Sequence, residues 1–405
     1  MKKRISMVLV VATLTAVTSC GILPTTSSDS IDGSDSLESV VITEKDELQK
    51  FDEYNLDVYM KPLWEGDLVY NETLMFVGDS DFAPLLYPAT EIISVRSYDL
   101  TKEYVRGVDY EYDPDTNSII LGEDTAIPYI PMHMYYPSAL IPGQAFKCTL
   151  PNRDYIAFSE GSYFSSKQVA VTYRHTGTKH LTAPKSQKEA FAGTIEKLQN
   201  NAAPKILFYG DSITVGGNSS GFVDYGPYAD IWAKMVFDSM TQKYGCTNAE
   251  YINTAVGGWK SQDGLDSLDE SVIAHAPDAV FIAFGMNDGD LNPTQHIQNI
   301  RTMVSRIREA LPDTEICLVT TMLPNEAVEG FYKLQFMFDA QYLSYLEELK
   351  AAGETKVCVA NVTEMHKQIL EVKRYYDMTG NNVNHVNDFM ARVYAQTVFQ
   401  TVCGD

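Results

Sequence analysis

The alternation of apolar runs with helical stretches in the C-terminal half is the feature that most constrains the fold. From Pro204 onward this alternation occurs five times, with the apolar runs KILFY, AEYINT, AVFIAF, EICLVT and KVCVANV. Helices are predicted between these runs over residues 225–243, 294–310 and 331–351, and a closing helix is predicted near Asp388 to Phe399. Strands that alternate with helices are typical of an α/β fold with a doubly wound parallel sheet. In such sheets the ligand crevice lies beyond the carboxyl ends of the strands.

The preceding part of the chain has a different pattern. Runs rich in Tyr, Val and Ile, such as EIISVRSYDL and VAVTYRH, are separated by turn-forming pairs and prolines. This pattern favours an antiparallel β-sandwich, with a jelly roll as the predicted form. The sequence therefore predicts a β-sandwich accessory domain over residues 51–185 and the α/β domain over residues 200–405.

The N-terminal segment has the pattern of an export signal. MKKRISMVLVVATLTAVTSC has a basic start, an apolar run too short for a stable membrane span, and small residues before a cysteine. We predict a lipoprotein signal peptide over residues 1–20 with a lipid anchor at Cys20, and plain secretion as the alternative. Residues 21–50, rich in Ser, Asp and Gly, predict a flexible tether. The expected location is extracytoplasmic, at a membrane surface.

The net charge limits the kinds of partner and substrate, and the cysteine pattern bears on metal sites and disulfides. The formal net charge of −23 disfavours nucleic acid and makes a neutral substrate easier to accommodate than an acidic one. Cys317 and Cys358 lie in apolar, strand-like runs without close CxxC spacing, which favours buried free thiols. The sequence predicts no zinc, no other metal and no cofactor, and it leaves the oligomeric state open.

Two Gly-Asp-Ser tripeptides raise the question of a nucleophilic serine. Ser212 directly follows an apolar strand and precedes a helix, so its hydroxyl is expected at the carboxyl end of the first parallel strand. Ser80 also follows an apolar run, but Pro84 and Pro88 prevent a helix after it. We therefore interpret Ser80 as a turn residue of the β domain and Ser212 as the candidate nucleophile.

Further polar segments lie just past later strands of the predicted sheet or in the last loop of the chain. They are NTAVGGW at residues 253–259, FGMNDG at residues 284–289 and NNVNHVND at residues 381–388. Each is expected on the rim where the carboxyl ends of the strands meet, so residues distant in sequence can converge there. A serine needs a base and an oxyanion site for acyl transfer, and these segments contain candidates for both.

In these three segments and in the Gly-Asp-Ser segment at Ser212, the chain resembles the SGNH hydrolases, also called GDSL-type lipases and esterases. The matching residues are Ser212 of GDSIT, Gly258 of NxAxxG, Asn287 of GxND and His385, and the resemblance covers about residues 204 to 405. It implies that Ser212 is the nucleophile and His385 the general base. It also implies an oxyanion hole formed by the backbone N–H groups of Ser212 and Gly258 and the side chain of Asn287.

The sequence departs from the family pattern in one position. The family usually has Asp three residues before the histidine, where this chain has Asn382. Three interpretations remain: Asn382 holds the ring in a Ser-His pair, Asp377 or another carboxylate approaches from elsewhere, or the enzyme is weak or inactive. The first is preferred because all four family residues are retained, namely Ser212, Gly258, Asn287 and His385. In this respect the chain resembles the two-domain carbohydrate esterases that carry a jelly roll and can lack the acid.

The resemblance implies a serine esterase that removes short acyl groups, acetyl foremost, from an acylated carbohydrate. The export signal, the domain order and the lack of an obvious long apolar lid favour a sugar substrate. Trp259 is a candidate sugar platform or acyl-pocket wall, with simple packing as the alternative. The alternative functions are a lipase or thioesterase acting on another acyl substrate and a non-catalytic, glycan-binding surface lipoprotein.

Overall fold

The computed structural model describes residues 48–78, 80–177 and 181–405. The predicted signal peptide, the anchor at Cys20 and most of the predicted tether lie outside these residues. Residues Gln49–Asp405 form one compact unit.

The first part of the unit is rich in β-structure, as predicted. Its elements are α1 (Leu56–Tyr59), β1 (Leu68–Val77), β2 (Phe82–Pro84), β3 (Ala89–Ser97), β4 (Tyr110–Asp113), β5 (Ser118–Leu121), β6 (Tyr129–Ile130), α2 (Met132–Tyr135), β7 (Ala145–Lys147), β8 (Tyr155–Ala157) and β9 (Gln168–His175). They form a four-stranded sheet in the order β3-β9-β1-β6, a three-stranded sheet β2-β5-β4 and a β7-β8 hairpin. One pair, β1 with β6, is parallel, so the arrangement is not purely antiparallel as expected.

The second part contains the predicted doubly wound sheet. Its elements are α3 (Ala192–Gln199), β10 (Lys205–Gly210), α4 (Ser212–Val215), α5 (Trp232–Tyr244), β11 (Glu250–Asn253), α6 (Ser261–Asp266), α7 (Leu268–Ser271), β12 (Ala279–Ala283), α8 (Gln295–Ala310), β13 (Glu315–Val319), α9 (Gln335–Ala351), β14 (Val357–Ala360), α10 (Val362–Leu370) and α11 (Asp388–Cys403). All neighbouring strands pair in parallel, in the order β11-β10-β12-β13-β14. The chain therefore winds away from β10 in both directions, which makes the end of β10 the switch point of the sheet.

Burial of both sheet faces explains why the parallel strands are continuous apolar runs. In β10, Ile206 and Phe208 belong to a core cluster that includes residues of α5 and α11. The alternate residues Leu207 and Tyr209 belong to a second cluster with residues of α8 and α9. Because side chains of a strand alternate between the two faces, a strand covered by helices on both sides needs apolar residues at every position.

The β-rich part and the parallel sheet share a core. Leu74 of β1 and Val171 of β9 lie in the same apolar cluster as Phe208 of β10. A buried ion pair reinforces the contact: Lys373 Nζ lies 2.6 Å from Glu72 Oε1, and both side chains are fully buried. Glu72 also accepts a 2.6 Å hydrogen bond from the Tyr173 hydroxyl. These contacts hold the chain segment of residues 373–388, which leads into α11, against the β-rich part.

Two predicted helices begin later than expected. The helix predicted from Tyr225 starts at Trp232, because Pro227 lacks an N–H donor and Asp224 and Tyr228 have positive φ angles of 53° and 61°. The helix predicted from Phe331 starts at Gln335. Across the described residues, no helix combines the length and apolar character that crossing a membrane requires.

Candidate active site

Ser212 lies at the switch point of the sheet. It follows β10 and opens α4, where the Asp211 side chain caps the helix by accepting a 3.0 Å hydrogen bond from the backbone N–H of Ile213. The preceding turn requires glycine, since a Cβ atom at Gly210 would lie 2.4 Å from the carbonyl oxygen of Ala283. This tight turn places the half-buried Ser212 hydroxyl at the carboxyl end of the strand.

His385 reaches Ser212 from the loop before α11. Its Nε2 atom lies 2.9 Å from Ser212 Oγ, although 173 positions separate the two residues. The loop is organised by Asn381 Oδ1, which accepts hydrogen bonds of 3.0 Å from the backbone N–H groups of Asn384 and His385. The Thr379 hydroxyl donates to the carbonyl oxygen of His385 at 2.8 Å. The predicted nucleophile and the predicted base are therefore within hydrogen-bond distance.

The second ring nitrogen of His385 faces two acceptors that the sequence did not identify by position, and one of them is a carboxylate that approaches from elsewhere in the chain, as one interpretation expected. Nδ1 lies 2.7 Å from Asn218 Oδ1 and 3.2 Å from Glu160 Oε2. Asn218 follows α4 in the same motif segment as Ser212, so a search for amides close behind the nucleophile could have found it. Glu160 lies between β8 and β9 in the other half of the chain, where no motif singled it out.

The prediction that Asn382 or Asp377 orients His385 is wrong, because both side chains form other hydrogen bonds. Asn382 Oδ1 accepts from the Tyr135 hydroxyl at 2.8 Å, and its Nδ2 donates to the Ala157 carbonyl at 2.9 Å. The left-handed backbone of Asn382, with φ of 69°, directs this side chain into the β-rich part. Asp377 Oδ1 accepts from the backbone N–H of Met75 at 2.8 Å, so Asp377 braces β1.

The candidate oxyanion residues lie on the loops that follow the two neighbours of β10. Gly258 has a φ of 81°, in the left-handed region, and it is exposed together with Gly257. A Cβ atom at Gly257 would lie 3.9 Å from Ser212 Cβ, so this backbone passes beside the nucleophile. Asn287, in a short turn after β12, donates from Nδ2 to the Trp259 carbonyl at 3.0 Å. The Asn287 amide is thereby linked to the glycine loop.

Trp259 is partly buried, and its ring packs against the second core cluster. It meets Tyr209 edge-to-face, with ring centroids 6.3 Å apart and an interplanar angle of 87°, and it covers the second core cluster. This geometry favours the packing interpretation of Trp259 over a sugar platform. Its backbone carbonyl, by contrast, contacts Asn287 directly.

The carboxyl groups around the site have shifted pKa values. Burial raises the pKa of Asp211 to about 7, and the nearby Asp288 carboxylate adds to the effect. Burial alone would raise the pKa of Glu160, but hydrogen bonds from His385, Asn381 and Asn218 and the charge of His385 outweigh it, so this pKa lies below its usual value. Glu160 is therefore ionised at neutral pH.

Ser80 is held in a turn, as predicted. Its hydroxyl donates to the Phe82 carbonyl at 3.2 Å and accepts from Arg374 Nη1 at 3.2 Å. Within the ranges that the structure describes, no group of three or more His, Cys, Asp or Glu side chains is arranged to hold a metal ion. Cys317 and Cys358 are buried free thiols, as expected.

A cavity of about 390 Å³ opens in the β-rich part, one residue away from Glu160 in the chain. Its wall combines aromatic, aliphatic and polar side chains, among them His133, Gln144, Phe158, Ser159 and Tyr163. Such a mixture of apolar rings and hydrogen-bonding groups is typical of small-molecule sites.

Comparison with known proteins places the second part of the chain in context. Residues 208–393 match the model of the GDSL-like Lipase/Acylhydrolase family. The chain is 28% identical over 157 residues to "Thioesterase 1/protease 1/lysophospholipase L1" of Escherichia coli strain K12, covering 36% of this chain and 69% of the relative. It is 27% identical over 113 residues to "Arylesterase" of Vibrio mimicus, covering 27% of this chain and 52% of the relative.

Solved structures with similarity to the chain include two esterases. An acetylxylan esterase from Geobacillus stearothermophilus has a TM-score of 0.39 and 19% identity, covering 49% of this chain and 94% of that one. A two-domain esterase active on acetylated mannans, co-crystallized with mannopentaose, has a TM-score of 0.41 and 19% identity, covering 53% of each chain.

Proposed function

We propose that this chain is a serine esterase that removes short acyl groups, acetyl foremost, from a carbohydrate, and the match of residues 208–393 to the GDSL-like Lipase/Acylhydrolase family model supports this. One observation carries the proposed chemistry. Ser212 Oγ lies 2.9 Å from His385 Nε2 at the carboxyl end of a parallel strand. This is the distance at which a histidine can take the proton of an attacking serine.

In the first half of the reaction Ser212 becomes acylated. His385 Nε2 accepts the Ser212 hydroxyl proton while Oγ attacks the ester carbonyl carbon. The oxygen of the resulting tetrahedral intermediate accepts hydrogen bonds from the backbone N–H groups of Ser212 and Gly258 and from the Asn287 amide. His385 then gives its proton to the sugar oxygen as the carbon–oxygen bond breaks, which releases the alcohol and leaves the acyl group on Ser212.

In the second half water replaces the sugar. His385 accepts a proton from water as the water oxygen attacks the acyl carbon, and a second tetrahedral intermediate forms in the same oxyanion site. Its collapse breaks the bond to Ser212 Oγ, which regains a proton from His385. The products are a carboxylic acid and the free enzyme, so no cofactor is consumed.

Surface properties of the site support a neutral, hydrophilic substrate. The loop beside Ser212 is exposed at Val256, Gly257 and Gly258, which leaves room for a bulky alcohol. The separate cavity in the β-rich part offers the rings of Phe158 and Tyr163 together with polar groups. Sugars bind well to such surfaces because their C–H faces pack on rings while their hydroxyls form hydrogen bonds. The net charge of −23 disfavours anionic substrates.

Another acyl substrate is the second candidate. The Escherichia coli relative is named as a thioesterase and lysophospholipase, so a thioester or a lysophospholipid is a possible substrate class for this chain. The non-catalytic alternative, a glycan-binding lipoprotein, is disfavoured by the Ser212–His385 contact. We further propose that the protein is anchored through Cys20 at an extracytoplasmic membrane face, on the sequence pattern alone.

Hydrolysis of an aryl acetate and of acetylated xylo-oligosaccharides by the purified chain tests this proposal. Ser212→Ala and His385→Ala are expected to lower kcat by about a thousandfold or more, since they remove the nucleophile and the base. Ser80→Ala is the matched control, because it makes the same change in the other Gly-Asp-Ser turn and should leave kcat unchanged. Acetyl-CoA and a lysophospholipid serve as competing substrates.

Two outcomes contradict the proposal. If the chain turns over no faster than Ser212→Ala on all of these substrates, it is not an esterase of the proposed kind. If Ser212-dependent turnover is fastest on the thioester or the lysophospholipid, the serine chemistry stands and the carbohydrate is the wrong substrate class.

A further inference from the structure

This chain lacks a carboxylate at position 382, and other side chains face His385 in its place. Two side chains from different parts of the fold converge on His385 Nδ1, namely Asn218 at 2.7 Å and Glu160 at 3.2 Å. An amide and a carboxylate can do different things for an imidazole ring. The hydrogen-bond partners of each side chain define its separate contribution.

Asn218 fixes the tautomer of the ring. Its Nδ2 donates to the carbonyl oxygens of Gly161, at 2.9 Å, and Gly380, at 3.4 Å, so Oδ1 is the atom that faces Nδ1. An amide oxygen only accepts hydrogen bonds, and therefore Nδ1 carries the proton. The lone pair of Nε2 is then free to accept the Ser212 proton. Asn218 is 1% exposed, which keeps this arrangement rigid.

An amide has no net charge, however, and cannot compensate the positive charge that the ring gains during the reaction. Glu160 carries the negative charge that the amide lacks. Its Oε2 faces His385 Nδ1, and its Oε1 accepts a 3.2 Å hydrogen bond from Asn381 Nδ2, in the loop that holds the histidine. The carboxylate is thus oriented by a residue of the same loop, although the Glu160 side chain is 55% exposed and that of His385 only 13%.

We propose that Glu160, supplied by the β-rich part of the chain, is the positioning residue that stabilises protonated His385, while Asn218 holds the ring tautomer. Together they take over the two tasks of the acid that the family usually places three residues before the histidine. The inference rests on the proposed function. On this proposal the β-rich part takes a direct role in catalysis, because the active site is incomplete without its residue Glu160.

The test compares Glu160→Gln, Glu160→Asp and Glu123→Gln in aryl acetate hydrolysis. Glu160→Gln keeps the size of the side chain and removes the charge, and kcat is expected to fall about ten- to a hundredfold with KM within about twofold. This decrease in kcat is expected to be smaller than the decrease caused by removing the acid of a Ser-His-Asp triad. Removing that acid also disturbs the tautomer of the histidine, whereas here Asn218 still holds it. Glu160→Asp should recover part of the activity. Glu123→Gln, an exposed change in the same β-rich part, should behave like the wild type.

The pH profile separates an electrostatic role from a merely structural one. The titratable groups that interact with His385 among the described residues are Glu160, from the segment between β8 and β9, and Asp211, from the turn between β10 and α4. In Glu160→Gln the protonated ring loses its neighbouring charge. The acid limb of the kcat/KM profile should therefore move to lower pH by about half a unit to one unit.

Two results would overturn the inference. One is a Glu160→Gln enzyme with wild-type kcat, and the other is a lower kcat with an unchanged acid limb, which would indicate a structural role. Ser212→Ala in the same series keeps the two proposals apart. If the wild type is no faster than Ser212→Ala, the proposed esterase function is contradicted. If turnover depends on Ser212 but is unchanged in Glu160→Gln, only the proposed role of Glu160 is contradicted.

Discussion

At the residue scale, the space around His385 depends on Gly217. A Cβ atom at this position would lie 3.0 Å from His385 Nδ1, 3.1 Å from Cε1 and 3.2 Å from the Ser212 carbonyl oxygen. These distances are shorter than ordinary van der Waals contacts. The last glycine of the GDSITVGG segment, Gly217, therefore leaves room for the imidazole ring of His385 beside Ser212.

Gly217→Ala should lower kcat by about a hundredfold while changing the melting temperature little. The added methyl group displaces the ring by a few tenths of an ångström or more, and small misplacements of a catalytic group are costly. Steady-state kinetics and a thermal melt on the same sample check the prediction. Unchanged kcat would show that the ring has more freedom than the contacts with Asn218 and Glu160 indicate.

At the scale of elements, the loop before α11 is held by the helix cap as much as by the sheet. Asn387 caps α11 by accepting a 3.0 Å hydrogen bond from the Met390 N–H. Its Nδ2 donates at 3.0 Å to both Thr73 Oγ1 and Gln168 Oε1, in β1 and β9. One side chain two positions after His385 therefore connects the helix to the β-rich part.

Asn387→Ala should cost about 2–4 kcal/mol in the free energy of unfolding, because it removes the cap and leaves buried polar partners unpaired. Asn361→Ala is the matched control. Asn361 caps α10 through a 3.0 Å bond from Glu364 N–H, and its loss should cost about 1 kcal/mol. Urea unfolding of both variants measures the difference. Equal losses would contradict the bridging role of Asn387.

The first residue of α11 gives the fold a pH dependence. Asp388 Oδ1 accepts a 2.8 Å hydrogen bond from the backbone N–H of Ser220, and burial raises the pKa of Asp388 from 3.8 to about 6. The folded state therefore binds this proton more tightly than the unfolded state does. The resulting stabilisation is complete below about pH 4 and is lost as the pH rises through about 6.

Asp388→Asn should not lose stability in this way as the pH rises, because the amide does not titrate. Relative to the wild type, its free energy of unfolding should rise by about 1–3 kcal/mol between pH 4 and pH 8, since each unit of pKa shift corresponds to about 1.4 kcal/mol. Denaturant unfolding of both proteins at several pH values measures the difference. A constant difference across this range would show that Asp388 titrates normally in the folded protein.

The same elements show what could be predicted from the sequence. The strands β10 to β14 were recognisable because both faces of the sheet are buried, which makes each strand a continuous apolar run. Ser212, Gly258, Asn287 and His385 were recognisable because each lies in a short motif beside a strand or helix. Glu160 was not, because it lies 225 positions from His385 and their contact depends on how two differently folded parts pack. Asn382 was assigned by spacing, and its left-handed backbone directs it elsewhere.

At the scale of the whole molecule, the two parts of the chain share one core, and Glu160 of the first part contacts His385 of the second. Leu74 of β1 and Phe208 of β10 are fully buried in the same cluster. A shared core of this kind makes independent unfolding of either part unfavourable, because each would expose the apolar surface of the other. The β-rich part is therefore integral to the folded enzyme.

Leu74→Ala should lower the melting temperature of a single calorimetric transition. The cavity it leaves in the shared core should cost about 2–5 kcal/mol. Because the two parts unfold together, esterase activity and β-structure should be lost at the same temperature in the variant, as in the wild type. Two separate transitions, of which Leu74→Ala shifts only one, would show that the parts are independent domains.

The central claim, that Ser212 is the nucleophile activated by His385, is tested most directly by covalent labelling. A fluorophosphonate ester reacts with serines that have an activated hydroxyl, and peptide mapping by mass spectrometry identifies the labelled residue. We predict one label on Ser212, none on Ser80, and a large loss of labelling in His385→Ala. A label on another serine, or no label on a folded protein that hydrolyses esters, would contradict the account.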